Sequence, residues 1–157
     1  MEHSDLLRSE RARPRLATGY QLRSRGLKAV TDREVVQAGA GAVYSTTSDM
    51  ARYAIALLGD GAGEHGRVLQ PGALATMFQP HYQPDPRIPG MGLGFFRGHA
   101  GEHQTVGHDG IWTGFHSTRV VGNPVQTERM IGQTACLCST PPSDEHPDLP
   151  RMVCSGL

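Results

Sequence analysis

Apolar positions recur at helical spacing in one place above all others. In AGAGAVYSTTSDMARYAIALLGDG, Met50, Tyr53, Ala54, Leu57 and Leu58 fall at i, i+3, i+4, i+7 and i+8, the stripe of a helix with one buried face. Thr46 stands where an N-cap belongs. Asp49, at the third helical position, is placed to accept backbone N–H groups and complement the dipole. Gly59 and Gly61 are positioned to end the helix. The small residues before it, Ala38 to Gly41, allow another backbone to approach closely. A second, shorter helix is predicted after Pro71, with Leu74, Met77 and Phe78 on one face and Pro80 as its stop. Pro84, Pro86 and Pro89 then mark an extended loop.

Three strand-like segments follow. Met91 to Arg97 is punctuated by glycine, Gln104 to His108 is short, and Phe115 to Val121 alternates as FHSTRVV. Short Gly-containing links between them predict an antiparallel meander. Helices followed by antiparallel strands make the expected fold class α+β. The division expected is a structured region over 1–122 and a tail over 123–157. The tail has four prolines between Pro141 and Pro150 and no periodicity, so it is expected to be poorly ordered.

Composition tempers this picture. Leu, Ile, Val and Phe together number 31 of 157 residues, near the ~20% level below which disorder sets in. Balanced charge, 15 Lys+Arg against 15 Asp+Glu, argues against wholesale disorder and gives no global footprint for nucleic acid or an anionic membrane. Seven basic residues lie between Arg8 and Lys28, but Tyr20 is the one aromatic among them that could stack on a base. A solvated face is therefore expected there, not a nucleic-acid surface. No apolar run approaches the ~18 residues of a membrane span, and the N-terminus MEHSDLLRSERARPRL lacks the apolar stretch of a secretory signal. The three cysteines, Cys136, Cys138 and Cys154, form no disulfide framework. A reducing, cytoplasmic setting is the expectation.

Two kinds of chemistry were sought among the side chains. His99-x3-His103 gives half of a zinc pattern, but Cys136-x-Cys138 is the wrong complement and GHAGEH reads as a turn; no metal or other cofactor is expected. For nucleophilic catalysis, no G-x-S-x-G elbow is present. No serine has a lysine three residues on, since Lys28 is four past Ser24. No tyrosine has Asn or Ser two residues on either, Tyr44 being followed by Ser45 and Thr46.

One segment nevertheless looks like part of a hydrolase site: Val106-Gly107-His108-Asp109-Gly110-Ile111-Trp112-Thr113-Gly114-Phe115-His116-Ser117. A strand bearing H-x-G that turns through Gly114 into a second strand resembles the third motif of the β-lactamase-related serine hydrolases. That group includes class C β-lactamases, D-alanyl-D-alanine carboxypeptidases and esterases of the same fold. Leu16 to Tyr20, Ala38-Gly39 through Ser45-Thr46, Ser48 to Arg52, Val68-Leu69 with Pro71, Met77-Phe78 and Gly92 to Phe95 extend the resemblance in order over roughly Met1 to Ser117.

The resemblance implies part of a β-lactamase/transpeptidase-like fold and an acyl-enzyme mechanism on a small-molecule ester, amide, peptide or β-lactam. It implies a catalytic role for His108 at the cleft, where it would polarise the substrate or relay a proton. Gly110 would let the substrate lie close to the strand, and the N–H of Ile111 would be one of two oxyanion donors. An imidazole in place of a permanently charged ammonium favours esters or peptides over penicillins. The nucleophile and tyrosine motifs would precede Met1, and after Ser117 the sequence departs from the family's apolar strand and helix. The expectation is a C-terminal portion of such an enzyme with an altered end, inactive alone. The alternatives are a non-catalytic binding module of the same fold and a small His/Cys metal-binding protein.

Overall fold

The computed structural model describes residues 1–33 and 37–122, together with the backbone of 132–133 and 153–155. Along the chain run β1 (Asp5–Leu6), a 3-10 turn (Arg13–Arg15), β2 (Gly19–Arg23), β3 (Gly26–Val30), a second 3-10 turn (Ala38–Ala40), β4 (Val43–Ser45) and α1 (Thr47–Leu58). Then come β5 (Ala62–Gly63), β6 (Gly66–Arg67), α2 (Ala73–Phe78), β7 (Phe96–Ala100), β8 (His103–Trp112), β9 (Phe115–Gly122), β10 (Gly132–Gln133) and β11 (Val153–Ser155). This is an α+β chain, with few helices and several small antiparallel sheets. The reading of 123–157 as poorly ordered falls almost entirely outside the described residues.

Contacts divide the described residues into two units. The first comprises 1–49, 109–118 and 153–155. Its three-stranded sheet has the order β1-β4-β11, and β2 and β3 form a separate hairpin. Its core is Ala12, Ala17, Tyr44 and Phe115, with Leu16 and Trp112 packed against them. The 3-10 turn at Arg13–Arg15 carries Pro14 early, where the missing N–H costs nothing. Much of this unit arises from the polar stretch 1–34, for which no elements were expected.

The second unit comprises 50–108, 119–122 and 132–133. The stripe of α1 is buried as its period requires: Ala54 and Leu57 join Leu74, Phe78, Phe95, Val106 and Val121 in one cluster, flanked by Tyr53, Leu58, Leu69 and Met77. Phe78 and Phe95 meet edge to face, with centroids 4.9 Å apart. The helix ends as expected. The N–H of Gly59 bonds the Ile55 carbonyl at 2.9 Å and that of Gly61 the Ala56 carbonyl at 2.8 Å. Gly61 takes φ +80°, a left-handed value that only glycine adopts without strain.

The meander exists, in the order β10-β9-β8-β7, but its first strand is displaced. Met91 makes only isolated bridges, to Tyr82 and Phe96, and the strand proper begins at Phe96. The N–H of Leu93 instead bonds the Met77 carbonyl at 2.8 Å, which holds Gly92–Gly94 against the end of α2. The turn expected over GHAGEH contracts to Gly101–Glu102, with Gly101 at φ +61°. Gly98, His99 and Ala100 pair instead with Thr105, Gln104 and His103.

Candidate active site

Strand β8 carries all three candidate catalytic residues. It continues unbroken from His103 through His108-Asp109-Gly110 to Trp112, so this tripeptide is strand and not hairpin turn. The turn comes where Gly114 was expected to make it, at φ +82°. Burial alternates along the strand's last five residues: His108 and Trp112 are half-buried and Gly110 is buried, whereas Asp109 and Ile111 are exposed. Side chains two apart share a face, so His108 and Gly110 lie on one face of β8 and Asp109 and Ile111 on the other. At Gly107 a Cβ would lie 2.4 Å from the Arg119 carbonyl oxygen, so no larger residue fits without moving β9.

The His108 ring is held by stacking. It lies on the Phe96 ring at 5.3 Å between centroids and 26° between planes. Phe96, the first residue of β7, pairs with Gly107, the residue before His108 in β8.

In the first unit, the far end of β8 is fastened by close backbone approach. The Tyr20 N–H donates to the Gly114 carbonyl at 3.3 Å. A Cβ on Gly114 would meet Val30 Cγ2 at 2.5 Å, and one on Gly19 would meet the Phe115 ring at 2.5 Å. The β2–β3 hairpin is thereby set against the β8–β9 turn. Between them opens a cleft of ≈590 Å³ lined by Tyr20, Leu22, Arg23, Ile111, Trp112 and His116, among others.

Two buried polar arrangements in the same unit went unread in the sequence. Asp49 is fully buried, and its carboxylate reaches beyond its own helix. It accepts from the N–H of Glu2 at 3.2 Å, the N–H of His3 at 2.7 Å and the Ser4 hydroxyl at 2.8 Å. Capping is left to Thr46, whose Oγ1 accepts from the Asp49 N–H at 3.3 Å. The buried Tyr44 hydroxyl donates to Asp32 at 2.8 Å, and Arg8 approaches the same carboxylate at 3.7 Å. Partners more than ten positions apart leave no local signal.

In the second unit, Arg119 is 4% exposed, with its guanidinium 4.6 Å from the Tyr53 ring centroid and 5.6 Å from that of Phe95. Among the described residues neither Nε nor Nη1 has a hydrogen-bond partner. Burial pulls its pKa below the ordinary guanidinium value, and Tyr53 acts in the opposite sense. The metal alternative finds no assembled site: among the described residues no three His, Cys, Asp or Glu side chains gather to hold an ion. His99 and His103 pair with Gln104 and Ala100 rather than with each other. Cys136 and Cys138 lie outside the described residues.

The family model described as Beta-lactamase matches residues 1–135. The chain belongs to the beta-lactamase family. It is thus related to serine hydrolases, and the family implies small-molecule substrates. No curated protein and no solved structure matches it. No helix among the described residues is long and apolar enough to cross a membrane.

Proposed function

We propose that this beta-lactamase-family chain supplies the cleft-edge strand of a serine hydrolase that works through an acyl-enzyme. The bond attacked would be an ester or amide, a β-lactam being less favoured by the imidazole at His108. In this reading His108 polarises the substrate or relays a proton. Gly110 keeps the strand free of a side chain where the substrate lies. The Ile111 N–H is one of two oxyanion donors, worth about 3 kcal/mol in the transition state. The nucleophile's own N–H would be the second donor, and no S-x-x-K occurs in these 157 residues.

The observation that supports this most directly is the regular strand geometry through His108-Asp109-Gly110, which puts His108 and Gly110 on one face and leaves Asp109 on the other. A second reading is a ligand-binding module of the same fold without turnover. A fluorophosphonate probe separates them in two steps. Alone, the chain should show no stoichiometric serine labelling. Supplemented with a family segment bearing S-x-x-K and Y-x-N, it should label and hydrolyse a nitrophenyl ester. His108→Ala should then cut acyl transfer about 100-fold, with Asp109→Ala milder. The catalytic reading fails if Asp109→Ala abolishes the rate while His108→Ala spares it.

A further inference from the structure

The β2–β3 hairpin sorts its side chains by face. Residues directly opposite in an antiparallel pair point the same way. The pairs Tyr20↔Ala29 and Leu22↔Leu27 therefore form one apolar face, and Gln21↔Lys28 with Arg23↔Gly26 form the opposite one. Ser24 and Arg25 make the turn, followed by Gly26 at φ +108°. The apolar face is largely bare at the tip: Leu22 is 80% and Leu27 70% exposed. Tyr20 and Leu22 also line the cleft that Trp112 and Ile111 line, the last 72% exposed. Contiguous exposed apolar surface of this kind marks an interaction site, not ordinary surface.

Charge narrows the partner. The chain as a whole is neutral, yet residues 19–31 contain Arg23, Arg25 and Lys28 and no carboxylate. These three, with Arg33, line a second open cleft of ≈760 Å³ along the hairpin. Among the described residues none of Arg23, Arg25 or Lys28 forms an ion pair, and Arg23 donates to the uncharged Gln21 side chain.

We propose that the tip of this hairpin docks on an anionic lipid bilayer. Leu22 and Leu27 sit one residue from the turn and would enter the headgroup–acyl boundary. Arg25 in the turn, with Arg23 and Lys28 on the opposite face, has a long stem that lets its charged end reach the headgroups around the tip, as theirs do. A nucleic acid would satisfy the cations but leave the Leu22–Leu27 pair in water. Attachment at two leucines and three cations is peripheral and reversible, in keeping with the lack of a spanning helix among the described residues.

Flotation of the whole chain with vesicles tests this, because aggregates do not float. Vesicles of phosphatidylcholine with about 30% phosphatidylglycerol should carry the protein upward, and pure phosphatidylcholine should not. Raising salt to about 0.5 M should weaken the partitioning at least tenfold. The triple change Arg23→Gln, Arg25→Gln, Lys28→Gln should weaken it about 100-fold, near fivefold per charge. Leu22→Ser with Leu27→Ser should weaken it more than tenfold at unchanged charge. Both leucines are exposed, so this variant should fold as the parent does. The proposal is overturned if the unmodified protein fails to float, if neutral vesicles carry it equally, or if either hairpin variant partitions like the parent. Binding to polyuridylate that the leucine change leaves intact, without flotation, would assign the patch to nucleic acid and also overturn it.

Discussion

Removing the Asp49 carboxylate should cost this chain a large part of its stability. The side chain is fully buried and receives three hydrogen bonds from the N-terminal segment, over 45 to 47 positions of sequence. Two of the three are short, from the His3 N–H at 2.7 Å and the Ser4 hydroxyl at 2.8 Å, and the third, from Glu2, is 3.2 Å. Hydrogen bonds to a charged acceptor contribute about 1.5–3 kcal/mol each, and truncation also strands their donors away from water. Counting the two short bonds near 2 kcal/mol each and discounting the long one, Asp49→Ala should lose about 4 kcal/mol. That is a large fraction of the ~5–15 kcal/mol that holds a typical domain together.

Asp49→Asn should fall between. His3 and Ser4 both bind Oδ2, so one amide oxygen can serve them. The amide NH2 then faces the Glu2 N–H, where the wild type has Oδ1. A loss of about 2 kcal/mol is expected. Urea denaturation at neutral pH, followed by the fluorescence of the single tryptophan, reads the change in the unit that contains both Asp49 and Trp112. With a slope near 2 kcal/mol per M, Asp49→Ala should lower the midpoint by about 2 M. Amide exchange offers a second reading, since the Glu2 and His3 amides should be protected in the parent. A midpoint shift below about 0.3 M, or exchange of those two amides at the free-peptide rate, would refute the reasoning.

Two further outcomes are expected. Arg119→Met should stabilise the protein by about 1–2 kcal/mol, because it removes a buried cation whose Nε and Nη1 lack partners among the described residues while keeping the volume of the stem. The cation–π contacts with Tyr53 and Phe95 offset part of that gain. Thermal unfolding that shows a loss above about 1 kcal/mol would sink the account. Asp5 should titrate below the ordinary carboxylate range, first because the Ser9 hydroxyl donates to it at 2.5 Å and then because Arg11 lies beside it. Its folded pKa is the lower one, so the stability it adds is present above the unfolded value near 4 and is lost as pH falls through the folded value. Carboxyl NMR should show both Ser9→Ala and Arg11→Ala raising the midpoint; a variant that leaves it unmoved would reject that cause.

What was legible in the sequence was what buries a periodic face. The α1 stripe, the short α2 and the β8–β9 turn all follow from local spacing, and Ala54, Leu57, Leu74 and Phe78 meet in one buried cluster. The hairpin has a period-two pattern, with Tyr20 and Leu22, then Leu27 and Ala29, alternating around a Ser-Arg-Gly turn, but basic residues fill the positions between and give the segment the composition of a solvated face. Asp49 stands in the first turn of α1, as its spacing predicts, and accepts backbone N–H groups, but the donors, Glu2 and His3, lie more than forty positions away and leave no local signal.

The strand position of the candidate H-x-G was legible because a motif held on one strand keeps its geometry wherever that strand goes. The cleft was not, because it depends on contacts between segments about 95 residues apart. Those contacts also give a physical reason for the resemblance. Leu16-Ala17-Thr18-Gly19-Tyr20 and Gly114-Phe115 look like separate weak similarities on paper. In the fold, Gly19 must lack a Cβ because the Phe115 ring occupies that space, and Gly114 must lack one because Tyr20 and Val30 do. A side chain added at either glycine would press these segments apart, so both glycines serve the packing that sets the β2–β3 hairpin beside the β8–β9 turn.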